Sequence, residues 1–261
     1  MASPRIAGKN ARLYVADVPL YLDAFEAEDQ IELNLEDGTP FGADWREMTL
    51  IDGQISLSIN AFMDTKRPPD FTADYVTDRA YWDTAIDGSN NIKANPNVPI
   101  IFVPGASALR GDPAKFLNCI LGSLNINTPR SGLGKLQGRF AASGQYGNGF
   151  IIAQVEQSFT GGVETFIPTS GGTDIKVAGT LGTMAALCVY KKSGSSSFTI
   201  KVQDSTTSGG SYGDAITFAA FTAVGAQFKR DVVDAGKQFH RVSVYGDATE
   251  TLGLIIVSTN I

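Results

Sequence analysis

Apolar and polar residues alternate along most of this chain in short runs, the period-two signature of strands with one buried and one wet face. Residues 11–21, 30–35, 54–60, 98–103, 136–142 and 149–155 form one set of alternating or β-branched runs bounded by Gly, Pro, Asn or Asp. Residues 184–190, 197–203, 215–222, 228–233, 238–245 and 252–258 form a second set. Two runs are strictly regular: Gln54, Ser56, Ser58 and Asn60 alternate with Ile55, Leu57 and Ile59, while Glu32, Asn34 and Glu36 alternate with Ile31, Leu33 and Leu35. Strands at this spacing predict a mainly β chain of the sandwich type.

Helix signals are confined to two segments. Asp112 stands as an N-cap, Pro113 as a first helical residue and Gly122 as a stop, with Phe116, Leu117, Ile120 and Leu121 on one face. Residues 72–87 set Tyr75, Val76, Arg79, Trp82 and Ile86 on a second helical stripe. Glycines and small polar residues interrupt the apolar pattern over 158–174, which places a boundary between 161 and 170. The reading is therefore a first β domain over 1–162 with one or two short helices, followed by a second β-sandwich over 170–261.

Charge sharpens this division. Residues 1–160 hold 19 acidic against 13 basic residues, whereas 161–261 balance at 8 and 8, so the net charge of −6 comes from the first part. Between Asp17 and Asp87 stand 17 acids and only Arg46, Lys66, Arg67 and Arg79, a local excess of 13 negative charges. Such a field disfavours a protein that grips nucleic-acid phosphates.

Candidate chemistry is sparse. His240 is the only histidine, which removes H-E-x-x-H helices and His-rich metal sites; its alternation with apolar neighbours predicts an exposed strand face. Cys119 and Cys188 lie in apolar runs without metal-ligand spacing and read as buried thiols. The acids crowded between Glu26 and Asp37 lack the D-x-D-x-D-G spacing of a calcium loop and alternate as a strand's solvent face, rather than as the paired carboxylates of a glycosidase. The glycines of Gly144-Gln-Tyr-Gly147-Asn-Gly149 are out of order for a dinucleotide fingerprint and predict a turn, and Lys191-Lys192-Ser-Gly predicts a charged hairpin turn. Trp45 and Trp82 do not cluster with Tyr190, Tyr212 or Tyr245 as a sugar platform would. The opening residues lack the apolar core of a leader peptide, and no run approaches the roughly 18 apolar residues of a membrane span; the expectation is a soluble, non-catalytic protein without cofactor, metal or membrane partner.

The first part carries a resemblance. Gly8 to Leu22, the loop Thr39-Pro-Phe-Gly-Ala-Asp-Trp45, Leu50 to Ser58 and Phe62-Met-Asp64 resemble the major tail tube protein of long-tailed, siphovirus-like bacteriophages. Gly111-Asp-Pro-Ala and Ser143-Gly-Gln-Tyr-Gly fit the remaining strand ends, so that the resemblance spans about residues 5–157. Val202-Gln-Asp-Ser205, Ile216-Thr-Phe-Ala219 and Phe239-His-Arg-Val242 resemble the small β-sandwich modules that accompany phage virion proteins.

The resemblance implies a virion protein, made in the host cytoplasm, that forms homohexameric rings stacked into a tail tube. Each subunit would give four strands to a shared barrel. Roughly 24 strands about 4.8 Å apart and tilted about 40° close at a backbone diameter of about 48 Å, leaving a bore of roughly 35–40 Å for a DNA duplex. Glu32, Asn34, Glu36, Gln54, Ser56, Ser58 and Asn60 would then line the lumen as a wet surface that repels phosphates and does not bind double-stranded DNA specifically. The implied partners are further copies of the chain, a tape measure protein, a tail terminator and baseplate or distal tail proteins. Between Asp37 and Met48, Thr39, Phe41 and Trp45 form a flexible stretch with two aromatic anchors, expected to stack between rings or to make a minicore over their own sheet. The second sandwich is expected outside the tube. The rival reading is a carbohydrate-binding or host-adhesion β-sandwich, and a head decoration protein is a third.

Overall fold

A computed structural model describes residues 12–16, 18–19, 24–37, 48–62, 98–104, 109–127, 135–167, 174–177, 179, 181–232 and 237–261. Fifteen strands follow one another without a helix among the described residues: β1 (Arg12–Val15), β2 (Val18–Pro19), β3 (Ala24–Asp37), β4 (Met48–Phe62), β5 (Val98–Val103), β6 (Pro113–Asn127), β7 (Lys135–Phe159), β8 (Thr165–Ile167), β9 (Ile175–Lys176), β10 (Thr183–Lys192), β11 (Phe198–Ser205), β12 (Gly213–Thr217), β13 (Gly225–Asp231), β14 (Phe239–Gly246) and β15 (Glu250–Asn260). The fold is mainly β, as the alternation predicts.

Every pairing is antiparallel. The larger sheet runs β13-β10-β15-β7-β6-β5-β1-β2, with β4 joined to β7 and β3 to β4. The smaller runs β12-β11-β14, and β8 and β9 take successive stretches of the far edge of β14. Their facing sides make one core: Ile152, Phe159, Leu187, Val189, Leu254 and Ile256 from the large sheet meet Phe198, Ile200, Val202, Ile216, Val242 and Val244 from the small one. The large sheet also curls over its own back, so that Tyr14, Ile101, Ala114 and Phe116 pack with Met184, Ala186, Cys188, Ile255 and Val257 in a second core. Strands β10 and β15 are consequently buried on both faces and read as nearly unbroken apolar runs.

Residues 113–122 form a strand, which overturns the helix expected there. Asp112 accepts a hydrogen bond from the Leu109 N–H at 2.8 Å and closes a turn over 109–112. Pro113 opens β6, where a missing N–H disturbs the ladder least. Phe116 and Leu117 are both buried although adjacent, so the strand is covered on both sides and its apolar run imitates a helical face. Gly122, the expected stop, falls where the register with β7 shifts between Leu121 and Ser123. The helix expected over 72–87 lies outside the described residues.

The turn expected at Gly144–Gly149 is also a strand, and the two runs 136–142 and 149–155 are one strand, β7. Its glycines make room instead of turning the chain. A Cβ on Gly147 would stand 2.4 Å from the Phe116 ring, and one on Gly149 would stand 2.3 Å from the Ser258 carbonyl oxygen. Cys119 and Cys188 are buried free thiols, as expected, and burial pushes the Cys119 thiol up to about 12.

Strands from both sides of residues 161–170 meet in this architecture. The far half of β7 pairs with β15 from Phe150↔Ser258 to Phe159↔Glu250, and both cores draw on both parts of the chain. A chain ended at residue 165 loses β15 from the β7 edge and bares Ile151, Ile152 and Phe159, which are now fully buried. Expression of such a fragment is expected to give insoluble protein, scored by sedimentation and size exclusion; a soluble, monodisperse fragment would show the two parts to be separable.

Candidate functional site

The near half of β7, residues 135–141, lies between β4 and the far half of β6, and β3 completes a four-stranded unit in the order β3-β4-β7-β6. Its register lines up rows across the strands. Glu28, Ser58, Arg139 and Ser123 form one row, and Glu26, Asn60, Gln137 and Asn125 the next on the same side of the pleat. The intervening rows are Asp29, Leu57, Phe140, Leu121 and Ala27, Ile59, Gly138, Leu124. Phe140 is 1% exposed whereas Ser58 is half-buried, as expected when opposite faces of a sheet differ in cover.

This register shows where the residues expected to line a lumen stand. Ser56, Ser58 and Asn60 lie in the four-stranded part, on one side of β4. Gln54 stands opposite Glu32, Asn34 opposite Asp52 and Glu36 opposite Thr49; these pairs belong to the ribbon that β3 and β4 continue beyond the last β4–β7 pair, Ser56↔Ala141. A register shift between Asn34 and Leu35 carries Glu36 past one extra residue of β4. Strand alternation alone did not reveal that β7 adds Arg139 to the same row as Ser58 and Glu28. Thr39, Phe41 and Trp45 lie outside the described residues.

Both flanks of this unit are open among the described residues. Strand β3 pairs only with β4, and β5 covers the outer edge of β6 only as far as Cys119. Unpaired edges of this length invite another strand.

Polar groups elsewhere are engaged inside the sandwich. His240 is fully buried, which corrects its expected exposure. Its Nε2–H donates to the Lys237 carbonyl at 3.0 Å, and its Nδ1 accepts from the Ser258 hydroxyl at 2.8 Å. Burial lowers its pKa below the ordinary 6.5. Lys191 and Lys192, expected in a charged hairpin turn, are the last residues of β10; the Lys192 side chain is 1% exposed and pairs with Glu250, while its Nζ also donates to the Gly194 carbonyl at 2.7 Å. Burial raises the Glu250 pKa, but hydrogen bonds from Lys192 and Ser196 outweigh it and hold the carboxyl at about 2. A Cβ on Gly194 would stand 2.4 Å from the Glu250 carboxylate and would have to displace it.

On the outer face of the small sheet, Arg241 is stacked between Phe166 at 4.1 Å and Tyr212 at 4.0 Å and donates through Nε to Gln203. Gln203 donates in turn to Asp214, which pairs with Lys201 at 2.7 Å. A cleft of about 400 Å³ lies nearby, lined by Thr183, Asp204, Gly213, Asp214, Ala215, Asp231 and Lys237. Lys237 already occupies the Asp204 carboxylate through both its backbone N–H and its Nζ. No group of His, Cys, Asp and Glu among the described residues is arranged to hold a metal ion.

No protein-family model matches the sequence, and no curated protein matches it. Several solved structures are similar at low identity. A chain of the virion of the native gene transfer agent particle is 11% identical with a TM-score of 0.38, over 54% of this chain and 97% of that one. The SPP1 Dit protein, described as a hub adsorption apparatus of phages infecting Gram-positive hosts, is 12% identical with a TM-score of 0.32, over 95% and 98%. A chain of the phage p2 baseplate in its activated conformation is 9% identical with a TM-score of 0.31, over 96% and 98%.

The two buried polar networks each make stability depend on pH. Because His240 has a lowered pKa, the unfolded chain takes up its proton first as pH falls; stability is held above pH 6.5 and declines below it. Glu250 acts at lower pH, its contribution present above its ordinary 4.5 and lost as pH falls toward 2. Urea denaturation from pH 8 to pH 4 is expected to show the first decline in the parent and a flatter profile in His240→Gln. At neutral pH, Glu250→Gln is expected to cost about 3 kcal/mol by leaving the Lys192 ammonium buried without its counter-charge.

Proposed function

We propose that this chain is a non-enzymatic structural subunit of a phage-type tail that assembles as a ring, and that the unit β3-β4-β7-β6 is the part that closes it. The observation that carries the reading is a four-stranded antiparallel unit whose two flanking edges both lack a partner among the described residues. With an even number of strands, rotation about a ring axis sets the β6 edge of one copy antiparallel to the β3 edge of the next. Repetition abolishes every edge, the one complete answer to unpaired ladder groups. Six copies, as the sequence resemblance implies, give the bore estimated above.

In this reading the side of the unit that carries Ser56, Ser58 and Asn60 faces the lumen, and Glu32, Asn34, Glu36 and Gln54 extend it along the β3–β4 ribbon. Thr39, Phe41 and Trp45 mediate stacking of rings into a tube. DNA passes without specific binding, and the tape measure, terminator and distal tail proteins are the partners in the virion. The functional division follows the sheet: β3, β4 and the adjoining halves of β6 and β7 assemble, while the residues after 161, held to the far half of β7, stand outside the bore. The rival sugar-binding reading is weakened by Arg241, which already covers a face of both Phe166 and Tyr212.

Negative-stain microscopy and analytical ultracentrifugation of the purified full chain are expected to show six-fold rings and stacked tubes at high concentration. Gln30→Pro and Ile31→Pro are compared, because backbone N–H groups alternate between the two edges of a strand and one of the two removes a donor from the open edge of β3; that variant is expected to leave a folded monomer. Trp45→Ala is expected to leave rings that do not stack. A parent chain that remains monomeric at millimolar concentration would sink the assembly reading; tubes formed normally by Trp45→Ala would remove only the stacking role.

A further inference from the structure

We propose that Arg139 and Lys135 make β7 the basic strand of the four-stranded unit, and that it joins copies electrostatically because its register position falls between the acidic β3 strands of two copies. This inference rests on the ring reading above. Its basis is the register. Arg139 stands in one row with Ser58 and Glu28, and Gln137 stands in the next with Asn60 and Glu26. Lys135, two residues before Gln137, falls on the same side of β7. Across the unit, that row set is acidic on β3, uncharged on β4, where Ser58 and Asn60 are followed by Phe62 opposite Lys135, and basic on β7, and it carries Ser123, Asn125 and Asn127 on β6.

The spacing makes this order consequential. Within one copy, β7 lies two strand spacings from β3, about 9.6 Å. When the β6 edge receives the β3 edge of a second copy, that copy's Glu26 and Glu28 lie the same two spacings from β7 on its other side. The basic strand is then centred between two acidic strands, one from each copy, at about a Debye length. Joining β3 to β3 would set like charges against each other, whereas β6 to β3 alternates them. Charge therefore selects the heterologous join that closes a ring over the isologous join that would end as a dimer. The lumen side becomes a charge-alternating surface with an acidic excess and not a uniformly acidic one.

Charge exchange tests this. Sedimentation velocity and microscopy would measure the concentration at which rings form, in 50 mM and in 1 M salt, for the full-length parent, Arg139→Glu, Glu28→Arg and the double exchange. Thermal unfolding monitors the fold, and Arg139→Gln and Lys135→Glu are carried in parallel so that a variant that fails to fold does not decide the matter. Each single reversal is expected to raise the concentration needed in 50 mM salt by about fivefold, the effect vanishing in 1 M salt, with the double exchange returning to within about twofold of the parent. Parent rings with folded reversals that assemble unchanged at low salt would overturn the inference while leaving the ring intact, as would single defects that the double exchange does not repair. Absence of rings from the parent itself would instead overturn the reading on which it rests.

Discussion

The ladder of strand β7 is the constraint on which the rest of this molecule depends. A strand of this length exposes backbone donors and acceptors along both edges, and each must find a partner if it is buried. On one edge β6 runs from Lys135 to Phe150. The other edge is shared, with β4 on the near half and β15 on the far half. This division makes a two-part molecule out of one sheet: the near half belongs to a four-stranded unit whose flanks are open among the described residues, the far half to a sandwich.

Burial follows from that sharing. With β15 seated beside β7 and β10 beyond it, the large sheet has a face for the small sheet and a face for its own curled margin, so β10 and β15 carry apolar side chains on both sides. Polar residues caught in this double cover are paired internally, as His240 is with Ser258 and Lys237, and Lys192 with Glu250. At the open margin of the sandwich, side chains stand in for a missing strand. Gln227 accepts from the Ala219 N–H and donates to its carbonyl, and Lys229 donates to the Thr217 carbonyl, so that β13 and the segment after β12 are bridged without a ladder. The edges of the sandwich are thus blunted by local chemistry, while those of the four-stranded unit remain free among the described residues.

Local pattern determined much of this by itself. Period two identified the strands because a sheet with one wet face must alternate, and strand β5 runs over the residues 98–103 that alternation marks. The polar side of β3 and β4 was legible for the same reason, since antiparallel pairing places Glu32 against Gln54 and Glu28 against Ser58 on a common side. Burial of Cys119 and Cys188 followed from their apolar neighbours. Acidic excess in the first part was legible as a property of the chain, though not its arrangement into rows.

What tertiary structure alone decided is who covers each second face. The run Phe116-Leu117 has the same apolar content whether a helix lays it on a sheet or a strand sinks it between two layers; only the curl of the large sheet selects the strand. Gly147 and Gly149 signal a turn by local propensity, yet they mark where Phe116 and the Ser258 carbonyl press on β7 from elsewhere in the chain. His240 alternates like a surface residue because the layer that covers it is contributed by residues distant in sequence. Arg139 joins the polar rows of β3 and β4 through a pairing with Ser58 across about half of the first part of the chain. Alternation along a strand is a local property and is written in the sequence; the partners of its two edges and the cover of its second face are contacts between distant segments, and those only folding assigns.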